Sequence, residues 1–124
     1  MAIPAKYRGS FSDGAVVTRG IEPCLVLYPL PEWDEYAGKI GSLPSSQPDA
    51  RQVVRAIFSA AAEVELDRLG RINIPAHLRR YAGLGSEVTL AGIGTQFEIW
   101  DRARWEQGSD ARTDIAGQLE RFGI

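Results

Sequence analysis

The apolar and polar positions of this 124-residue chain trace the same succession of elements twice. In the second half, Ile74-Pro75-Ala76 opens a short helix with proline near its first turn, where a missing N–H costs nothing. Leu78, Tyr81 and Ala82 then share one face, and Gly83 or Gly85 ends the helix. A β-hairpin follows. Glu87–Ala91 and Gln96–Trp100 alternate polar and apolar residues around a glycine-rich turn at Gly92–Gly94, the pattern of half-buried strands. In the first half, Ile3-Pro4-Ala5 starts the same helix, and Ala15–Arg19 and Cys24–Tyr28 match the two strands. A helix follows each hairpin; in the first copy Leu30, Trp33, Tyr36, Ala37, Ile40 and Leu43 keep helical spacing.

The correspondence extends to individual residues. Ile3-Pro4-Ala5-Lys6-Tyr7-Arg8 aligns with Ile74-Pro75-Ala76-His77-Leu78-Arg79, 71 positions on. Gly20-Ile21 aligns with Gly92-Ile93, Tyr28 with Trp100 and Trp33 with Trp105, 72 positions on, which implies one inserted residue between. Two repeats are therefore expected over 1–43 and 64–108, with a linker and connecting helix over 44–63 and a tail over 109–124. In the connector, Pro44–Pro48 reads as a turn and Asp49 as an N-cap, with Val53 or Val54, Ile57 and Ala61 on one helix face. The tail from Asp110 to Ile124 has a weak helical pattern through Ile115, Leu119 and Phe122. The second repeat has one extra element in front: Glu63–Asp67 alternates like a strand, Arg68-Leu69-Gly70 reads as a turn, and Arg71–Ile74 alternates again. Of this hairpin the first repeat retains only Ile3.

Composition narrows the classes. Net charge is −2 and the pI is near 5.4, which weighs against a nucleic-acid binder until charge is read locally. Residues 68 to 80 carry Arg68, Arg71, Arg79 and Arg80 without an acid, and residues 1 to 10 add Lys6 and Arg8. The acids gather elsewhere, at Glu32, Asp34 and Glu35 and at Glu63, Glu65 and Asp67. One cysteine, Cys24, excludes an internal disulfide; one cysteine and one histidine cannot build a four-ligand metal site. No run approaches the roughly 18 apolar residues of a membrane helix, and no charged-then-apolar signal opens the chain. Gly92-Ile93-Gly94 sits in a hairpin turn rather than after a strand, so it is no phosphate loop, and no serine has a defensible histidine or aspartate arrangement. The expectation is a cytoplasmic protein that is not an enzyme and uses no cofactor or metal. The tryptophans Trp33, Trp100 and Trp105 read as core or subunit interface, and His77 as an exposed helix residue.

Asp67-Arg68-Leu69-Gly70-Arg71 followed by Ile74-Pro75-Ala76 and Arg79 resembles the second repeat of the MraZ family of bacterial transcriptional regulators. Leu27-Tyr28-Pro29, Pro48–Arg51, Arg80–Leu84 and Glu98-Ile99-Trp100 extend the resemblance over about residues 1–108. It implies an α+β fold of two tandem AbrB-like swapped-hairpin repeats, interleaved into one pseudo-symmetric β-rich domain with peripheral helices. It further implies a homo-oligomeric ring, association with the nucleoid, and binding to double-stranded DNA at promoter direct repeats upstream of the division and cell-wall gene cluster. The resemblance carries over Asp67 and Arg71, with Arg79 and its first-repeat counterpart Arg8 in the family's conserved pattern. Arg68 and Gly70 join the DNA-binding candidates from the chemistry of the turn, and Arg79 has the alternative of pairing with carboxylates within the fold. The family's first-repeat motif, Asp-x-Lys-Gly-Arg, is expected just before Ile3 and does not occur in these 124 residues. Either the reading frame starts upstream of Met1, or the chain is shortened and its fold and binding are weakened; an in-frame motif upstream would separate the two. Physically, Gly70 lets the backbone turn between Arg68 and Arg71, and a narrow hairpin turn can approach a DNA groove. Arg71 can pair with phosphate or fork onto a guanine edge, held by Asp67. The plainer reading makes Asp67 and Arg71 a pair that staples the hairpin, and the two roles are compatible. The alternative function is an oligomeric or antitoxin-like protein-interaction module that does not bind DNA.

Overall fold

A computed structural model describes residues 1–108 and 114–124. The elements are α1 (Ala5–Arg8) with a 3-10 turn at Gly9–Phe11, β1 (Ala15–Arg19), β2 (Leu25–Pro29), α2 (Leu30–Gly41), α3 (Pro48–Ala60), β3 (Ala62–Val64), α4 (Ala76–Ala82), β4 (Val88–Gly92), β5 (Phe97–Asp101), α5 (Arg102–Gln107) and α6 (Ile115–Arg121). The fold is α+β, built on one antiparallel sheet in the order β3-β1-β2-β5-β4. Two hairpins, β1–β2 and β4–β5, join where β2 meets β5, so each repeat completes the other's sheet. All five residues of β2 are buried. A central strand covered on both faces needs a continuous apolar run rather than alternation, and Leu25-Val26-Leu27-Tyr28-Pro29 supplies it.

One face carries the main core. Val17, Leu25, Leu27, Phe97 and Ile99 pack there against Ile3, Ile72, Ile74, Leu78 and Phe11. The other face is covered over β1 and β2 by α2 and α3. Thr18, buried on β1, donates its hydroxyl to the Ile57 carbonyl at 2.9 Å, which satisfies a polar group that would otherwise be costly to bury. Tyr28 and Tyr36 stack at 5.0 Å, and Phe58 meets Trp33 edge-on at 5.9 Å. On the second repeat, Trp105 of α5 lies 6.1 Å from Trp100. All three tryptophans thus take part in aromatic packing.

Two pairings reveal the internal symmetry. Val26 faces Glu98, 72 positions on, and the backbones of Met1 and Ile72, 71 positions apart, exchange hydrogen bonds of 2.8 Å. Residues one repeat apart that pair with each other lie on a pseudo-twofold axis, which therefore passes through both pairs. The register corrects the sequence alignment. Val16 pairs with Tyr28 and Thr89 with Trp100, so β1 maps onto β4 with an offset of 73 while β2 maps onto β5 with 72. The second repeat has two extra residues before its hairpin and one fewer in the turn, not a single insertion.

Other expectations change in detail. Arg71–Ile74 was expected as a strand, and its alternation is real: Ile72 and Ile74 are buried, Arg71 and Asn73 exposed. Yet β3 stops at Val64, and the returning segment makes one isolated bridge, Ala2 to Arg71. The chain leaves β3 to form a tight turn at 67–71, and the return pairs with residues 1–3 instead. The strand expected over Glu63–Asp67 is accordingly shorter, and Asp67 belongs to the turn. In α3, Pro48 takes the first helical position after Gln47, which moves Asp49 from the cap into the first turn, where a carboxylate favours the helix dipole. Gly83 ends α4 with φ +62, and a Cβ there would come within 2.8 Å of Arg104 Nη2. In the tail, α6 carries Ile115 and Leu119, both exposed; the part of the expected tail at 109–113 lies outside the described residues. Among the described residues, no helix is long and apolar enough to cross a membrane.

Candidate nucleic-acid interface

Five residues close the turn between β3 and the returning segment. The Asp67 N–H donates to the Arg71 carbonyl at 2.9 Å, and the Gly70 N–H to the Asp67 carbonyl at 2.9 Å. The Asp67 carboxylate does the remaining work. Its Oδ1 accepts from the Leu69 and Arg71 amides at 2.8 and 2.9 Å, and its Oδ2 accepts from Arg71 Nε at 2.9 Å. The spacing of four around a glycine makes this possible: Gly70 takes φ +74, a conformation that L side chains rarely adopt. The structure thus realises the staple expected of Asp67 and Arg71. The ion pair is exposed, with Arg71 58% and Asp67 45% accessible, so its value is geometric more than energetic. Asp67 engages Nε of Arg71 and neither terminal guanidinium nitrogen, so the fork that pairs bidentately with phosphate or guanine is not consumed. Arg68 and Leu69 at the tip are exposed.

These hydrogen bonds hold the Asp67 carboxyl below its ordinary value of 3.8, the Arg71 amide foremost among them. A folded-state pKa below the unfolded one gives stability that is present above 3.8 and is lost as the pH falls through the folded value. The turn is therefore expected to stay locked at neutral pH and to loosen only in stronger acid than an ordinary aspartate requires. An NMR titration of the Asp67 carboxyl carbon checks this: its midpoint should lie below 3.8 and rise in Arg71→Ala. A wild-type midpoint at or above that value would contradict the arrangement.

Beside the turn runs an open groove of about 490 Å³, lined by Arg8, Ser12, Asp13, Glu65, Asp67 and Arg68 among others. Three carboxylates against two guanidiniums make it a poor bed for phosphate. Of the expected site residues, the structure brings together Asp67, Arg68, Gly70, Arg71 and Arg8. Arg79 is exposed on α4 and does not line the groove. Arg8 occupies a place that its sequence context did not signal: its Nε donates to the Ile3 carbonyl at 2.9 Å, and its side chain lies across Gly70. His77 is exposed, with Nε2 3.3 Å from the Ala60 carbonyl. Cys24 is buried, and desolvation, helped by Glu98 and Glu22, pushes its thiol up to about 12, so it remains neutral.

Two α+β repeats that share one antiparallel sheet across a pseudo-twofold axis, with an aspartate-locked arginine turn at the sheet's margin, define a two-repeat hairpin protein. Residues 1–56 and 57–121 each match the family model described as "MraZ protein, putative antitoxin-like", and the chain belongs to the MraZ family. The family is of regulator type.

Proposed function

We propose that the chain is a sequence-specific DNA-binding transcriptional regulator that assembles as a homo-oligomeric ring. It would act on promoter direct repeats upstream of the division and cell-wall gene cluster. The observation that carries this reading is the turn itself: a carboxylate fixes the backbone and Nε of Arg71 while leaving its terminal nitrogens available, with Arg68 beside it. One turn makes few contacts, so a single subunit binds weakly. A ring aligned with repeated sites combines such contacts through effective concentration.

The test is a titration of the full chain into labelled DNA from upstream of its own gene, beside a scrambled duplex, at two salt concentrations. Tighter binding to the native duplex that weakens steeply with salt supports the reading. Equal or absent binding overturns it. That result would favour the second reading, a protein-interaction module, which the antitoxin-like family description and the acidic pI support.

A further inference from the structure

The turn is built by the second repeat, but it is not held by the second repeat alone. Gly70 is buried although Asp67, Arg68, Leu69 and Arg71 around it are exposed. From one side, the Ile3 N–H donates to the Gly70 carbonyl at 2.8 Å. From another, the Arg8 side chain fills the space where a Cβ would stand: an ideal Cβ on Gly70 would overlap Arg8 Nε and Cζ. Arg8 is itself fixed, because its Nε donates to the Ile3 carbonyl at 2.9 Å. Ile3 thus joins both contacts: its carbonyl anchors the guanidinium that covers Gly70, and its amide holds the Gly70 carbonyl. Gly70 is required twice, for its positive φ and for the absence of a side chain beneath Arg8.

We propose that Arg8 is a positioning residue rather than a DNA contact: its planar guanidinium, from the first repeat, braces the second-repeat turn and so sets the aim of Arg68 and Arg71. As a statement about affinity this rests on the DNA reading above; as a statement about the turn it stands alone. Two variants separate a brace from a phosphate contact. Lysine keeps the charge but has neither the plane that lies over Gly70 nor the Nε–H directed at Ile3. Arg8→Lys and Arg8→Ala are both expected to lower DNA affinity about threefold to tenfold, the factor of one lost hydrogen bond, with the salt dependence unchanged. A phosphate contact would instead be largely rescued by lysine, and Arg8→Ala would reduce the salt slope by about one; either result overturns the proposal. Amide exchange of Leu69, Gly70 and Arg71 is the second measurement and needs no DNA. It should accelerate in both variants while β2 amides keep their protection, and unchanged exchange in the turn would overturn the brace even if the protein binds no DNA. If Arg8→Ala fails to fold, Arg8→Lys carries both measurements.

Discussion

Arg71→Ala is expected to lower affinity for DNA from upstream of the gene by about tenfold to hundredfold, the range for losing one arginine that forks onto a base or phosphate. In an assembled ring the loss recurs at every engaged subunit, so the upper end is the expectation. The fold and the proposed assembly should survive, because Arg71 is 58% exposed and its side chain pairs with Asp67 in its own turn. Asp67→Ala should reduce binding comparably while leaving every arginine in place, since it removes the acceptor of the Leu69 amide, the Arg71 amide and Arg71 Nε together. The two variants differ in their salt response. Deleting Arg71 removes a cation and flattens the dependence on salt if that cation meets phosphate; deleting Asp67 removes no cation. Band shift or anisotropy at several salt concentrations, with sedimentation to confirm assembly, makes the comparison. Wild-type affinity in Arg71→Ala would remove the turn from the DNA interface.

The largest effect on stability is expected at Leu27. This side chain is fully buried in β2, between Val17 on one neighbouring strand and Phe97 on the other, and so lies where the repeats join. A leucine-to-alanine change in such a site costs the transfer of the lost carbons plus the cavity that rigid neighbours cannot close, about 3 kcal/mol. For a domain of this size that corresponds to a fall of about 10 °C in melting temperature. Val53→Ala on α3, where the side chain is 41% exposed, should stay within about 0.5 kcal/mol. Urea unfolding of both variants at one fixed protein concentration decides, because the proposed assembly would make apparent stability depend on concentration. A loss below about 1 kcal/mol at Leu27 would place the weight of the core elsewhere.

What could be read from the sequence was local. The Ile-Pro-Ala openings located α1 and α4, and the alternation around Gly92–Gly94 located the second hairpin. The four-residue spacing of Asp67 and Arg71 around a glycine anticipated the staple that the turn contains. The resemblance implied that the halves interleave, but which distant segments pair, and in what register, stayed hidden. Nothing in Leu25–Pro29 names β5 as its second neighbour, and nothing in Arg71–Ile74 says that residues 1–3, not a continuing β3, will take its hydrogen bonds. The one-residue error in the alignment has the same origin, since glycines at two hairpin tips align easily while strand register is set by pairing. The covering of Gly70 by Arg8 was out of reach for a further reason. A glycine announces that a side chain is not wanted, but not which residue fills the space.

The pairing of Val26 with Glu98 also sets a timetable for synthesis. β2 can pair with β1 soon after it is made, but its other edge has no partner until residues 97–101 have been added. At about 5–20 residues per second, the intervening stretch takes about 4–14 s. Throughout that interval Leu25–Pro29, the most completely apolar strand among the described residues, is an open edge on a half-built sheet. Such an edge can recruit the same strand of another nascent chain. The first repeat must therefore wait for the second, and neighbouring ribosomes on one message offer the nearest competing partner.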